Sequence, residues 1–269
     1  MSSAEKPNRL ALTGAAGGIG QALALALAPS CSAMLLVGRD AAKLAALRQK
    51  LQAQHAHLAI EVVAADLASE AGREASLNAA QAIPGGINLL INNAGLSEFH
   101  AFGTQPAAQV EALMTTNLLS PILLSQKFLP MLQAQSSAQI VNIGSAFGDI
   151  GYPGFAAYCA TKFGLRGFTQ ALRRELSDSA VRVRYFAPRA TKTSINATAV
   201  DAMNDALKTH IDEPAVVAQA FVEFLAGPKN ECVIGWPEKF YVFINRLRHQ
   251  MTDQAIGKQL ATIKRFLPN

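Results

Sequence analysis

Tyr158 and Lys162 stand four positions apart in Tyr158-Cys159-Ala160-Thr161-Lys162, a stretch that reads as the interior of a helix, so their side chains share one face. A phenol titrates near pH ~10, too high for efficient proton transfer at neutrality. An ammonium group beside it stabilises the phenolate and lowers that value. The pair is thus a candidate proton donor and acceptor. The same spacing also arises by chance on helices, and alone it decides nothing.

A second candidate lies near the start, where Thr13-Gly14-Ala15-Ala16-Gly17-Gly18-Ile19-Gly20 joins an apolar strand to a helix. Glycine serves any tight turn. In this position, however, a glycine-rich turn lets backbone approach a pyrophosphate at the positive end of a helix. The second strand ends at Val37-Gly38-Arg39, where a site for NAD places an acid on the ribose hydroxyl. Gly38 carries no carboxylate to repel a phosphate, and the Arg39 guanidinium suits a 2′-phosphate. The competing reading has Arg39 capping a surface turn beside Asp40. The local chemistry favours NADP(H) over NAD(H). An oxidised nicotinamide, itself cationic, would lower the Tyr158 pKa further.

The elements that must position these groups alternate. Apolar runs at Arg9–Leu12, Ala33–Val37, Ala59–Ala64, Asn88–Asn92, Gln139–Ile143, Val181–Phe186 and Cys232–Ile234 read as strands. Helical patterns fall at Ile19–Ala28, Ala41–Gln54, Ser69–Ala82, Pro106–Gln133, Ala156–Ser177 and Pro214–Leu225. This is the βαβ signature of an α/β fold: one Rossmann-type, doubly wound parallel sheet of about seven strands with helices on both faces. No repeat or linker divides the chain, so residues 1–237 read as one catalytic domain.

With its motifs in this order the chain resembles the classical short-chain dehydrogenase/reductase family along nearly its whole length. The matching features are the Thr13–Gly20 turn, Asp66 after the third strand, Asn92-Asn93-Ala94-Gly95 after the fourth, Asn117 in the long helix, Ser145 after the fifth strand, and the Tyr158/Lys162 pair. The resemblance implies that Tyr158 protonates a carbonyl in reduction and that Lys162 lowers its pKa and holds the nicotinamide ribose. It implies that Ser145 donates to the substrate oxygen and that Asn117 holds a water linking Lys162 to solvent. Gly14, Ala16, Gly18, Ile19, Gly20 and Arg39 would line the cofactor, with Asp66 and Leu67 flanking the adenine and Asn93, Ala94 and Gly95 on the adenosine side. After the sixth strand Pro188, Thr191 and Thr193 would reach the nicotinamide. Arg189 departs from the pattern by replacing a glycine; it reads equally as an anion contact or as a solvated side chain. The expected assembly is a homodimer or homotetramer. The competing class is a cofactor-binding regulator or scaffold without turnover, which would be free to lose the catalytic set that this chain retains.

Loops at the carboxyl edge of such a sheet form the substrate pocket. Here they carry Phe99, Phe102, Phe147, Ile150, Tyr152, Phe155, Ile195 and Met203, which favours a hydrophobic carbonyl compound or secondary alcohol, including an acyl chain. Beyond Pro237 an apolar repeat three or four residues apart gives one or two amphipathic helices over 238–269, with Lys239, Arg246, Arg248, Lys258, Lys264 and Arg265 on the polar side. Three readings compete for this extension: packing on the domain or across a subunit interface, a lid, or contact with an anionic membrane surface.

The 269 residues are 50% hydrophobic and 16% charged, which excludes wholesale disorder. A net charge of +5 comes without a helix-turn-helix, zinc or RNP pattern, so nucleic acid is not expected as a partner. The start lacks a secretory signal pattern. Cys31, Cys159 and Cys232 have no metal-like spacing, and Cys159 reads as a packing residue. The scattered histidines give no metal site, and the expected setting is the reducing cytoplasm.

Overall fold

The computed structural model describes residues 8–193 and 198–268. Seven strands form one parallel sheet: β1 (Asn8–Thr13), β2 (Cys31–Gly38), β3 (Ala59–Ala64), β4 (Leu89–Asn92), β5 (Ala138–Ile143), β6 (Val181–Ala187) and β7 (Glu231–Val233), in the order β3-β2-β1-β4-β5-β6-β7. The order reverses between β1 and β4. That switch point opens a crevice at the carboxyl ends of the strands, where nucleotides bind in sheets of this kind.

Each central strand is apolar on both faces because both are covered. From β1 and β2, Leu10, Leu12, Met34 and Leu36 enter one core; Ala11, Leu35 and Val37 enter the other. The first core is closed by α1 (Gly18–Leu27), α2 (Ala41–Gln54) and α8 (Pro214–Ala226) through Leu23, Leu44, Leu47 and Phe221. The second is closed by α3 (Glu70–Ala82) and α5 (Ser120–Gln133) through Ala80, Leu124, Phe128 and Leu132. Arg184 of β6 is fully buried, yet every part of its guanidinium is used. It donates to the carbonyls of Phe224, Leu225, Gly227 and Lys229 and to Gln139 Oε1, placing a cation at the negative end of α8.

The pattern over Pro106–Gln133 predicts a single helix. The structure makes it α4 (Ala107–Met114), a π-helical turn at Thr115–Leu119, and then α5. The extra residue of a π-turn re-aims the chain at its centre, which is Asn117. After α6 (Ala156–Glu175) a helix that the sequence pattern did not predict, α7 (Thr198–Ala206), precedes α8. The extension forms two helices, α9 (Glu238–Leu247) and α10 (His249–Phe266). Ile263 of α10 is completely buried with Phe99, Phe155, Cys159, Val200 and Met203, a third apolar cluster outside the sheet layers. Among the described residues no helix is long and apolar enough to cross a membrane, and no group of His, Cys, Asp and Glu is arranged to hold a metal.

Candidate active site

The glycine turn is fixed by what it touches. Gly14 has φ +63°, and a Cβ there would stand 2.8 Å from Ala94 Cα; a Cβ on Gly20 would collide with the Gly14 carbonyl. Thr13 Oγ1 accepts from the amides of Asn93 (2.9 Å) and Ala94 (3.0 Å), and Asn93 Nδ2 donates to the Thr13 and Gly14 carbonyls. The turn after β1 and the loop after β4 are thereby locked into one wall. The N-cap of α1 is Gly17, which has no side chain to cap the helix, and no acid stands in the first turn, so this amino end suits an anion.

This wall bounds a cavity of about 770 Å³. Gly14, Ala16, Gly18, Ile19 and Gly20 line it on one side, followed by Arg39, Asp66, Leu67, Asn93, Ala94 and Gly95. Ser145, Tyr158, Lys162, Pro188, Thr191 and Thr193 line the far half. All the catalytic and cofactor-binding residues expected from the sequence therefore meet around one space except Asn117, which lies behind it. A space of this size, with a bare helix terminus and no bulk at Gly17 or Gly38, fits a dinucleotide.

Tyr158 and Lys162 sit one turn apart on α6. The ammonium lies 5.7 Å from the centre of the phenol ring and donates to the Ile143 carbonyl at 3.1 Å. Burial pulls Lys162 down to about 8 and pushes Tyr158 up to about 12, while a hydrogen bond to Ser145 draws Tyr158 the other way. In the protein without cofactor, burial thus outweighs the lowering of Tyr158 expected from its cationic neighbour.

Asn117 is a positioning residue. Its Oδ1 accepts from the Leu96 amide at 2.7 Å, and its Nδ2 donates to the Leu96 carbonyl at 2.9 Å and to Thr161 Oγ1 at 3.3 Å. Both donors are spent on fixing the loop after β4 against α6.

The family-model comparison matches residues 8–204 to the short chain dehydrogenase family. The chain belongs to that family. Among its relatives is a Mycobacterium tuberculosis protein named as the oxidoreductase SadH, 30% identical over 96% of this chain and 95% of its own. Another is the ketoacyl reductase HetN of Nostoc, 31% identical over 83% of this chain and 77% of its own. A short-chain dehydrogenase from Sphingobium yanoikuyae, solved in complex with NADPH, superposes with a TM-score of 0.78 at 28% identity, covering 91% of this chain and 96% of that one. A short-chain dehydrogenase/reductase from Burkholderia phymatum, solved with NAD, shares the fold with a TM-score of 0.80 at 22% identity, over 93% of this chain and 96% of its own.

Arg189, where this dehydrogenase departs from its family's motif, takes neither expected course. Its guanidinium pairs with Asp212 and also donates to the Trp236 carbonyl and to Glu238, joining the loop after β6 to the amino end of α9. It touches the cavity, but its donors are engaged. Gly235, with φ +92°, leaves the room it occupies.

Of the expected substrate-side residues, Phe147, Ile150, Tyr152, Phe155 and Met203 line the cavity. Phe99 packs behind them, 5.0 Å from Phe155 ring to ring. Phe102 does not contribute: a short 3₁₀ turn at Phe102–Thr104 carries it outward and leaves it 68% exposed. Ile195 lies outside the described residues. The extension, for which a lid was one of three readings, supplies a further wall, where Tyr241, Thr252, Ala255, Ile256 and Gln259 face the cavity. The sequence reading missed Tyr185, whose hydroxyl accepts from the Ser145 amide at 3.4 Å and occupies the space left by Gly144 and Gly148. The signal was available: a phenol in a buried strand beside a serine loop flanked by glycines. Asp149, in the same loop, pairs with Arg166 and accepts from Arg246 of α9, tying the extension to the Ser145 loop.

Proposed function

We propose that this protein is an NADP(H)-dependent reductase of hydrophobic carbonyl compounds, of the ketone or 3-oxoacyl type. The observation that carries the reading is the pair Tyr158 and Lys162 with Ser145 on the rim of an apolar cavity that continues from the bare amino end of α1. A reduced nicotinamide, when bound, supplies the hydride. The residues do the rest. Ser145 Oγ donates to the carbonyl oxygen and stabilises the charge developing there. Tyr158 Oη delivers the proton that completes the alcohol, and its high pKa keeps that proton in place until the oxygen becomes basic. Lys162 holds the ribose and steadies the phenolate left behind. The water that returns a proton through Lys162 is assigned to a main-chain carbonyl of the π-turn at Asn117.

The NADP(H) preference rests on the end of β2. Gly38 and Arg39 face the cavity, and the nearby Asp40 is otherwise employed: its carboxylate caps α2 by accepting from the Lys43 amide at 3.0 Å and pairs with Lys43 Nζ at 3.5 Å. The apolar half, lined by Phe147, Ile150, Tyr152, Phe155 and Met203, supports a hydrophobic substrate. The name of the relative HetN points to the 3-oxoacyl class. The exposed Met114, Leu119 and Phe163 support a homodimer or homotetramer built through α4, α5 and α6, which meet where Leu118 lies against Gly164. Three unpaired cysteines suit the reducing cytoplasm.

The test is NADPH oxidation across aliphatic, aromatic, steroid and 3-oxoacyl carbonyls, with Tyr158→Phe as control. The expected result is turnover that disappears in the variant while NADPH binding, followed by its fluorescence, persists. Retained turnover would overturn the mechanism.

A further inference from the structure

Helix α9 is amphipathic the wrong way round. Three of its polar residues turn to the protein: Glu238 meets Arg189 at 3.2 Å, Asn245 Nδ2 donates to the Asp149 carbonyl at 2.7 Å, and Arg246 meets Asp149 Oδ1 at 2.7 Å. Its large apolar residues face out. Phe240, Phe243 and Leu247 recur three and four apart, so they form one stripe on the side opposite Asn245 and the buried Val242. They are 49%, 57% and 65% exposed, and Trp236, just before the helix, is 69% exposed. A soluble helix buries this face, and a contiguous apolar patch of aromatic and aliphatic side chains marks a surface made to be covered.

Charge and area identify what covers it. The 32 residues from 238 onward hold six of the chain's 24 lysines and arginines but two of its 19 acids, and so carry four of the five net positive charges. Lys239 flanks the stripe and Arg248 ends the helix; both are exposed, and neither has an acid within ion-pair distance among the described residues. The stripe presents on the order of 500 Å², short of the ~800 Å² that each partner buries in a stable protein interface. An antiparallel two-fold contact through it would also set Lys239 towards Arg248 of the partner subunit, cation against cation. Aromatic and aliphatic side chains flanked by unpaired cations match the interface of an anionic bilayer.

We propose that α9 is a membrane-docking helix that lies in the plane of an anionic lipid surface, with Trp236, Phe240, Phe243 and Leu247 inserted and Lys239 and Arg248 at the level of the headgroup phosphates. Tyr241, next in sequence to Phe240, lines the cavity, so docking sets the cavity's rim beside the lipid. The docking surface is independent of the reaction proposed above.

Trp236 is the chain's one tryptophan and reports directly on insertion. Full-length protein is titrated with vesicles of phosphatidylcholine alone or equimolar with phosphatidylglycerol, and binding is followed by Trp236 emission and co-sedimentation. The expected result is a blue shift and pelleting with the anionic vesicles, at least tenfold tighter than with phosphatidylcholine. K239Q/R248Q should weaken binding roughly tenfold. F243D/L247D should stay in the supernatant with an unchanged melting curve and NADPH binding. Wild-type protein that neither shifts nor pellets with anionic vesicles overturns the proposal. So does equal pelleting of F243D/L247D. Light scattering in which F243D/L247D splits an oligomer that does not bind vesicles would instead assign the stripe to a second copy of the chain.

Discussion

Arg189 closes on Asp212 through two hydrogen bonds, Nε to Oδ2 at 2.8 Å and Nη2 to Oδ1 at 2.7 Å. Asp212 is 6% exposed and is paired in backbone to the cavity-lining segment after β6, through Lys192 to Asp212 and Asp212 to Ala190. Arg189→Met therefore leaves a buried carboxylate facing an apolar side chain and should cost about 2–4 kcal/mol, read by urea unfolding. The hydrogen bond from Arg189 holds the Asp212 carboxyl below the ordinary range. This stabilisation is complete above the unfolded carboxylate pKa of ~3.9 and is lost as pH falls through the depressed native value. The difference between wild type and Arg189→Met should accordingly be constant at neutral pH and shrink below about pH 4.

Arg39 is exposed beside Gly38 and lines the cavity, and the carboxylate of the neighbouring Asp40 is held by the Lys43 amide and ammonium. Arg39→Ala should lower kcat/KM for NADPH by roughly 10-fold to 100-fold, the value of one or two charge-assisted hydrogen bonds. NADH kinetics should change little. Equal losses with the two cofactors would show that Arg39 serves the turn and not the phosphate.

Most of the fold was legible because the strands are buried on both faces and so read as unbroken apolar runs. Leu89-Leu90-Ile91 needs no context to be recognised. The glycine turn and the helical spacing of Tyr158 and Lys162 were equally local. What escaped depended on distance. The partner of Arg189 lies 23 positions on, in a loop without periodicity. The π-turn at Asn117 leaves the apolar pattern of Pro106–Gln133 intact while changing the hydrogen bonding. The extension was seen as amphipathic, but periodicity cannot tell which face turns inward, and in α9 polar contacts with Asp149 and Arg189 reversed the expected sense.

Lys162, drawn down to about 8 by burial, sets the pH behaviour of the free enzyme. A lysine with this value is charged at pH 7 and loses its proton as the pH rises past 8. Because kcat/KM reports groups of the free enzyme, kcat/KM for NADPH should be level near neutrality and fall above about pH 8. Tyr158, pushed up to about 12, keeps its proton throughout that range and should add no second step. Lys162→Met should remove the alkaline fall together with most of the activity.

Tyr185 reaches the Ser145 amide with its hydroxyl at 3.4 Å, while its ring tip fills the space left by Gly144 and Gly148. The phenol touches neither reacting group and acts through the serine loop. Tyr185→Phe keeps the ring and removes one weak hydrogen bond, so kcat should fall about fivefold, the equivalent of ~1 kcal/mol, with KM for NADPH unchanged. Tyr185→Ala, which also empties the loop's support, should lose far more. A purely structural role would lower stability in both variants and leave kcat of the folded Phe variant untouched.

Thr252 and Ile256 separate the two qualities of the wall that α10 gives to the cavity. Thr252 is 5% exposed, and its hydroxyl has no hydrogen-bond partner among the described residues. A buried hydroxyl without a partner is a cost to the empty protein, so Thr252→Val should leave stability unchanged or raise it slightly. The same change should raise KM for substrates with a polar group distant from the carbonyl, and leave KM for simple alkyl ketones as it was. Ile256, half-buried on the same helix, contributes apolar contact only. Ile256→Ala should raise KM for long-chain carbonyls by about 10-fold or more, since each methylene contact is worth ~1 kcal/mol or more, while short-chain substrates should respond little. Measured side by side across a chain-length series, the two variants would show whether the extension selects by length, by a distal polar group, or by both. If neither variant alters the KM series, α10 has no part in substrate selection.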